Sequence, residues 1–426
     1  MSTIKTDKII PVGSALTVEG ASVFTAGVSA NSTLSVGGSV YAAANVYAAA
    51  NVYATGGTVV MSSAYTHRNR IINGDMRVNQ RGATGATFGG VATITRNYDM
   101  WYITRSVGNT FSYQGGMTSD GATLSSHRNY ARVTTPATTQ TLAAAASGAF
   151  YTVAEGVNVG DLLYGTDAAR TTTLSFWVRS SVTGTFSGSL KSYPNGARSY
   201  AYPYTINAAN TWEYKTVTIP GDTGGTWLTG TNGQTYIQWN MGSGVNIGSA
   251  TATTWNSMDQ YFINGSTQLV STANATWDIT GIQWELGSVA TPFEYRPYSV
   301  ELAMCQRYYQ NYRIDKIALN TSATGVAQQD LYKAFYIVGT HSSGYGEALM
   351  GVLLPVEMRA VPAIGGRGLQ GGSAFNDATT GFNGTTIVSA GYGSVGTKSI
   401  QWINIGSQAG AATSGQYLGF DLSAEL

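Results

Sequence analysis

Aromatic and uncharged polar side chains are the groups in this sequence that could do chemistry, and they suit sugar binding. Sugars pack their C–H faces on aromatic rings, and the chain has 27 Tyr and 9 Trp. The run Arg198–Tyr204 (RSYAYPY) places Tyr200, Tyr202 and Tyr204 on one face of a strand, and Tyr193 lies just before it. Exposed, these tyrosines would form a platform for a glycan, whereas buried they would be core residues with hydrogen-bonded hydroxyls.

The sequence contains no motif that would support catalysis. The three histidines, His67, His127 and His341, form no metal-binding spacing such as HExxH, and there is no GxSxG elbow and no P-loop. Cleavage of a polysaccharide needs two carboxylates that face one cleft. No spacing pairs the available carboxylates, which are Asp75, Asp99, Glu213, Glu285 and Glu294. We therefore predict that the protein is not an enzyme.

Composition favours β-structure with uncharged polar faces. Of the 426 residues, 43% are hydrophobic and only 11% are charged, far below the usual share. A net charge of +1 predicts no nucleic-acid partner, and the lone Cys305 excludes an intrachain disulfide framework. The opening MSTIKTDKIIPVG does not resemble a signal peptide, and no apolar run is long enough to span a membrane. We expect synthesis in a cytoplasm, without membrane insertion.

The elements that would carry these residues begin with a six-residue repeat. From Leu16 the chain reads LTVEGA, SVFTAG, VSANST, LSVGGS, VYAAAN, VYAAAN, VYATGG, TVVMSS. Apolar residues at positions one and three make each hexad a short strand with one buried face. Only Glu19 is charged between Leu16 and Met61, so a single thin coil would leave too much apolar surface bare.

Three chains wound together would bury that surface, so we predict a homotrimeric β-stem over residues 14–63. A low-complexity Ala/Gly/Ser linker is the alternative. The stem prediction assigns these residues to the trimer contact: Leu16, Val18, Val28, Leu34, Val36, Val40, Val46 and Val52.

Alternating strands and Gly-rich turns follow the stem. The alternating runs are Thr172–Arg179, Trp212–Ile219, Thr235–Trp239 and Ile279–Leu286. Many short strands without a long helical period predict an antiparallel, jelly-roll-like sandwich over residues 64–298. Residues 299–309 have helix-like spacing and are interpreted as a hinge, in which Cys305 is a small core residue. Residues 310–426 predict a smaller C-terminal β-sandwich, which makes the whole chain all-β.

Several runs resemble the domains of phage tail-fibre and virion proteins, including those of marine phages and cyanophages. They are Met1–Ile10, Asn69–Gly82 (NRIINGDMRVNQRG), Asn97–Tyr102 (NYDMWY), Trp277–Tyr298 (WDITGIQWELGSVATPFEYRPY), Ser299–Tyr309 and Leu354–Pro362. The resemblance implies a structural protein of the virion, made in the host cytoplasm. We interpret residues 1–13 as the segment that anchors the chain to other virion proteins.

The sandwich also resembles carbohydrate-binding modules of the jelly-roll type, more distantly. Some of these hold a structural calcium near their first and last strands, and Asp75 and Asp278 are the matching positions here. Calcium needs six to eight oxygen ligands, and two carboxylates do not define such a site. We therefore interpret Asp75 as a turn cap and Asp278 as the start of a strand, and we predict no cofactor.

Two functions remain. The first is a trimeric fibre or spike that projects from the virion and attaches to polysaccharide on the host surface. The alternative is a capsid decoration protein, or cement, that clamps the shell at three-fold sites, since trimers match three-fold symmetry.

Overall fold

A computed structural model describes most of the chain beyond the stem region. The described residues are 67–81, 86–88, 93–105, 111–117, 124, 126–193, 198–232, 234–249, 251–257, 262–317, 334–340, 346–367, 387–392, 396–407 and 416–424. The predicted anchor (1–13), the predicted stem (14–63) with its eight contact residues, and His341 lie outside them. The part described is all-β, as predicted, with one short α-helix.

The strands of the described ranges, in chain order, are β1 (Ala86–Phe88), β2 (Thr93–Tyr98), β3 (Trp101–Arg105), β4 (Phe111–Met117), β5 (Asn129–Thr134), β6 (Ser147–Glu155), β7 (Thr172–Ser180), β8 (Gly184–Tyr193), β9 (Ser199–Ile206), β10 (Glu213–Ile219), β11 (Gln234–Ser243), β12 (Gly248–Ser249), β13 (Trp255–Asn256), β14 (Phe262–Ile263), β15 (Thr276–Leu286), β16 (Tyr309–Ile317), β17 (Ala334–Thr340), β18 (Gly346–Leu353), β19 (Ala363–Arg367), β20 (Ile387–Tyr392), β21 (Ser399–Ser407) and β22 (Gln416–Ser423). The α-helix is α1 (Tyr298–Gln306), and single 3-10 turns cover Gly156–Asn158, Gly160–Leu162 and Leu269–Ser271. No helix in the described ranges is long and apolar enough to cross a membrane.

Two antiparallel sheets form the sandwich that the alternating runs predict. The six-stranded sheet has the order β1-β4-β5-β15-β7-β10, and the seven-stranded sheet has the order β13-β9-β8-β11-β6-β3-β2. Their inner faces share one core. Trp277 and Phe176 of the first sheet reach Trp239 and Phe150 of the second, with ring centroids 5.4–6.5 Å apart. Truncating one of these buried rings to alanine would cost about 3–5 kcal/mol.

A network that we call the clasp joins the start of the sandwich to its end. The carboxylate of Glu294 accepts hydrogen bonds from the backbone N–H groups of His67, Arg68 and Asn69, at 2.7–3.3 Å. Arg296 donates to the backbone carbonyl of Asn69 and pairs with Glu294. Burial opposes ionisation of Glu294, but the N–H donors and Arg296 outweigh it and lower the pKa of that carboxyl. The clasp therefore holds residues 67–69 against residues 294–296.

Helix α1 (Tyr298–Gln306) covers most of the helix-like run predicted at residues 299–309, but Tyr309 begins β16 instead. Cys305 is fully buried in a small cluster with Ile72, Val78 and Met100, so it is a core residue as predicted. The chain after the helix is also fixed, because the Tyr308 hydroxyl donates to buried Glu155 at 2.8 Å. Residues 298–308 are therefore packed along the sandwich. Their role as a hinge stays a prediction.

The C-terminal region forms two further antiparallel sheets, with the orders β16-β22-β19 and β17-β18-β21-β20. Backbone hydrogen bonds tie it to the end of α1. Arg359 N–H donates to the Arg307 carbonyl at 2.9 Å, and Ala424 N–H donates to the Tyr308 carbonyl at 2.8 Å. Its β character is as predicted, and its packing as a second sandwich stays a prediction.

Candidate functional site

The predicted tyrosine platform is wrong for three of its four members, because Tyr200, Tyr202 and Tyr204 face the core. Tyr200, Tyr202 and Tyr204 share one face of β9, as alternation requires, but that face lies inside the sandwich and each ring is at most 4% exposed. The Tyr202 hydroxyl donates to the Gln238 carbonyl at 3.1 Å, and the Tyr204 hydroxyl accepts from Trp277 Nε1 at 3.1 Å. Burial raises the pKa of both hydroxyls. The side chain of Tyr193 lies outside the described part of the structure.

The two carboxylates considered for calcium both form ion pairs with arginines. Asp75 lies in the turn after the first extended segment, where it forms an ion pair with Arg77. Asp278 lies in β15, where Arg132 and Arg179 surround it. Within the described ranges no three His, Cys, Asp or Glu side chains converge as metal ligands. Guanidinium groups therefore neutralise both carboxylates, and the expectation that neither holds calcium stays a prediction.

Asp278 is the centre of a charged row on the outer face of the six-stranded sheet. It lies directly opposite Arg132 of β5 on one side and opposite Arg179 of β7 on the other. Arg132 Nε donates to Asp278 Oδ1 at 2.7 Å, and Arg179 Nε donates to Asp278 Oδ2 at 2.8 Å. Asp278 is 1% exposed and Arg179 5%. Removing either partner would leave a buried charge unpaired, so this pair is costly to break.

Aromatic rings extend this charged row at the edge of the sheet. The Arg179 guanidinium lies 4.9 Å from the ring centroid of Trp212 and 5.5 Å from that of Tyr130. Trp212 and Tyr130 contact each other edge to face at 5.7 Å. The side chain of Trp212 is half-buried. Cation–π contacts of this kind hold the indole ring in place while part of it stays accessible.

A second row, two residues further along the strands, is aromatic. Trp177 of β7 pairs with Tyr214 of β10 on one side and with Thr280 of β15 on the other. The two rings are tilted, with centroids 5.2 Å apart. Trp177 is half-buried and Tyr214 is 43% exposed. We call the two rows together the aromatic face: Arg132, Asp278, Arg179 and Trp212 in the charged row, and Thr280, Trp177 and Tyr214 in the aromatic row.

A bulge in β15 lets a histidine join this face. The register of β15 against β7 shifts between Thr280 and Gln283, and Gly281 has a φ of +60°. A Cβ at Gly281 would lie 2.7 Å from His127 Nε2 and 3.1 Å from Trp177 Cδ1. Only glycine allows both the left-handed backbone and the close packing of these two rings. His127 is 3% exposed, and Ser126 Oγ lies 2.9 Å from its Nδ1.

Beyond His127 lie two rings from the segment that follows β15. Phe293 meets His127 edge to face at 4.9 Å and meets Tyr295 edge to face at 5.7 Å. The Arg77 guanidinium lies 4.7 Å from the centroid of the Tyr295 ring. Arg77 also pairs with Asp75, so an ion pair supports this ring too. Tyr295 nevertheless remains 55% exposed.

Burial drives the pKa values of Asp75 and His127 in opposite directions. Burial raises the pKa of Asp75 to about 6, against the opposing effect of Arg77. Burial, with the nearby charge of Arg77, lowers the pKa of His127 to about 4. Both shifts favour the neutral form, as expected for ionisable groups withdrawn from water.

The carboxylates considered for catalysis are all engaged locally. Asp99 accepts a hydrogen bond from the backbone of Gln80, and Glu213 accepts from Asn207 and Lys215. Glu285 accepts from Gln283 and Thr291. Asp75 and Glu294 are held by Arg77 and by the clasp, respectively. Among the described residues each of these five groups serves its own local network.

A second aromatic cluster lies among the loops beside β9. Trp227 and Trp255 are half-buried and perpendicular, with centroids 5.7 Å apart, and Tyr164 meets Trp227 edge to face at 4.9 Å. Trp227 Nε1 donates to Asp222, which also holds Arg198 through both carboxylate oxygens. Because these rings contact one another directly, we interpret the cluster as packing that holds the loop around Trp227 against β9.

No family model matches the chain, and no curated protein matches it. Solved structures with similarity include the enzymatically active domain of tailspike protein 4 of bacteriophage CBA120, at 13% identity and a TM-score of 0.27, over 52% of this chain and 22% of that chain. TmCBM61 in complex with β-1,4-galactotriose is similar at 10% identity and a TM-score of 0.25, over 52% of this chain and 99% of that one. The tripod of the bacteriophage Tuc2009 baseplate is similar at 11% identity and a TM-score of 0.21, over 67% and 83%. At these TM-scores the similarity carries no inference about function.

Proposed function

We propose that this chain is a structural protein of a bacteriophage virion, a homotrimeric fibre or spike, which binds glycans of the host surface through the aromatic face. The observation that supports glycan binding is the juxtaposition on one sheet face of accessible rings with a fixed row of charges. Trp177, Trp212 and Tyr214 are each partly accessible, whereas Asp278 and Arg179 beneath them are buried.

This combination suits a sugar for two physical reasons. A pyranose ring offers C–H groups that pack on aromatic rings, and it offers hydroxyls that need hydrogen-bond partners of fixed geometry. Arg132, whose side chain is 28% exposed, is oriented by Asp278 at 2.7–2.9 Å and is the partly accessible charged side chain of the row. A rigid site loses little conformational entropy on binding, so its contacts translate into affinity.

The trimer and the place in the virion rest on the sequence. The hexads of residues 14–63 favour a stem in which three chains wind together, and residues 1–13 are proposed to anchor it to other virion proteins. Three sandwiches on one stem would bind a repetitive surface polysaccharide together, and the gain in avidity offsets weak binding by each site. No catalytic step is part of this proposal.

The test is binding of the purified full-length protein to an array of bacterial surface polysaccharides, followed by titration calorimetry with the best ligand. Truncating an aromatic anchor at an interface costs about 2 kcal/mol, so Trp177→Ala and Tyr214→Ala should each weaken binding about thirtyfold. Tyr298→Ala is a matched control, because Tyr298 is also 53% exposed but belongs to neither row. Unchanged affinity in both aromatic variants, with normal folding, would contradict the proposed site.

A further inference from the structure

Five rings follow one another from the edge strand of the six-stranded sheet to the segment after β15. In order they are Tyr214, Trp177, His127, Phe293 and Tyr295, which we call the aromatic track. Ring centroids are 5.2 Å apart for Tyr214 and Trp177, 4.9 Å for His127 and Phe293, and 5.7 Å for Phe293 and Tyr295. His127 and Trp177 both pack against Gly281. The rings therefore follow one path across β10, β7 and β15, with His127, 3% exposed, as its buried member.

The two ends of the track repeat one arrangement. At one end Tyr214, 43% exposed, and Trp177 lie beside the buried pair of Asp278 and Arg179. At the other end Tyr295, 55% exposed, lies against the pair of Asp75 and Arg77. Each end thus offers an accessible ring beside a carboxylate–guanidinium pair.

The middle of the track is built to connect these ends. His127 is buried against the glycine of the bulge and contacts Phe293 edge to face. Phe293 itself is half-buried. A single sugar, which is about the size of one of these side-chain rings, could contact one end but could not reach both. Only a ligand that spans the track can contact the exposed ring and the ion pair at both ends.

From this geometry we infer that the site takes an extended oligosaccharide chain, bound lengthwise along the aromatic track, with separate subsites at Tyr214 and Tyr295. This inference rests on the proposed glycan-binding function. The chain runs across the strands, from β10 over β7 and β15 to the segment at residues 293–295. Such a site recognises the interior of a polysaccharide, since both ends of the track are open to solvent.

The experiment measures affinity against ligand length. Fragments of the polysaccharide that binds best, graded from the monosaccharide to the octasaccharide, are titrated into the full-length protein and into Tyr295→Ala. For the unchanged protein, Kd should fall by about tenfold or more once the fragment is long enough to reach the second subsite, as linked contacts predict. For Tyr295→Ala this gain should disappear, so long fragments bind no better than short ones.

Two controls separate the possible outcomes. Tyr295→Phe keeps the ring and should keep the dependence on length, and Tyr298→Ala should behave as the unchanged protein. The extended site is overturned if Kd does not depend on fragment length, or if Tyr295→Ala keeps the same length dependence. In either case, loss of binding in Trp177→Ala still supports the proposed glycan-binding function. Binding of no glycan at all, or full binding in Trp177→Ala and Tyr295→Ala alike, overturns both.

Discussion

Replacing Asp75 by Asn should change how the free energy of unfolding depends on pH. Asp75 is 2% exposed, and burial raises its pKa from 3.8 to about 6. A carboxyl with a raised pKa favours folding in its protonated form, so its contribution is fully present below pH 3.8 and is lost as the pH rises through 6. The shift corresponds to about 3 kcal/mol, of which little is screened by solvent because the group is buried.

His127 opposes this contribution over nearly the same range. Burial lowers its pKa from 6.5 to about 4, so its contribution is present above pH 6.5 and is lost as the pH falls through 4. This change is also about 3 kcal/mol, with the opposite sign. In the unchanged protein the two groups therefore largely offset each other between pH 4 and pH 6.

The assay is urea unfolding followed by tryptophan fluorescence at a series of pH values, for the unchanged protein, Asp75→Asn and His127→Gln. Relative to the unchanged protein, Asp75→Asn should lose about 3 kcal/mol of stability as the pH falls from 6 to below 4. His127→Gln should gain a similar amount over the same range. Differences that stay constant with pH in both variants would refute the burial argument for these two groups.

Two further predictions concern the charged row and the stem. Asp278→Asn should destabilise the sandwich by about 3–5 kcal/mol, because it leaves Arg179, 5% exposed, buried without its counter-ion, and a normal midpoint of urea unfolding would contradict this. Deleting residues 14–62 should leave folded monomers as measured by light scattering, whereas a deletion variant that remains a trimer would show that the hexads are not the oligomerisation element.

Strands were predictable because alternation is a local property of the sequence. The run Thr172–Arg179 became β7 (Thr172–Ser180), and Ile279–Leu286 became most of β15 (Thr276–Leu286). Trp212–Ile219 became β10 (Glu213–Ile219), with Trp212 just before its first residue. Thr172–Arg179 alternates throughout, and a sheet with one buried face imposes that pattern. In the other two runs the apolar phase changes once, after Tyr214 in β10 and at Gly281 in β15.

Alternation shows that a strand has two different faces, but not which face is buried. That choice requires a comparison of the sizes of the side chains on the two faces. In β9 the residues between the tyrosines are Ala201 and Pro203, so the larger side chains on the other face, the three rings and Ile206, fill the core. In β7 the core face is already supplied by Leu174, Phe176 and Val178, so Trp177 must lie on the outer face. A tryptophan opposite a complete apolar face was the signal for the site, and it was present in the sequence.

Partners distant in the chain could not be read from the sequence. The Asp278 row joins strands that are 99 and 146 residues away, and their register follows from the folded sheet. The bulge at Gly281 shifts that register midway along β15. The sequence marks it by a change of phase in the apolar alternation between Ile279 and Ile282, but it does not show which distant rings pack there. The same holds for the clasp, whose partners are separated by 225–227 residues.

The clasp also determines how the sandwich responds to mechanical force. Because Glu294 and Arg296 hold residues 67–69, the chain enters and leaves the sandwich at neighbouring points. Tension applied between the N-terminal segment and the region after Tyr298 is therefore carried by these charge-assisted hydrogen bonds, which are among the stronger ones in proteins. Asn69 is also bonded to β15, where it contacts the Ile282 carbonyl and the Trp284 N–H, and Tyr295 lies between the two clasp residues. Tension on the chain should therefore reach β15 and the Tyr295 end of the aromatic track, so that a pull on a tethered particle would act on the proposed glycan-binding surface.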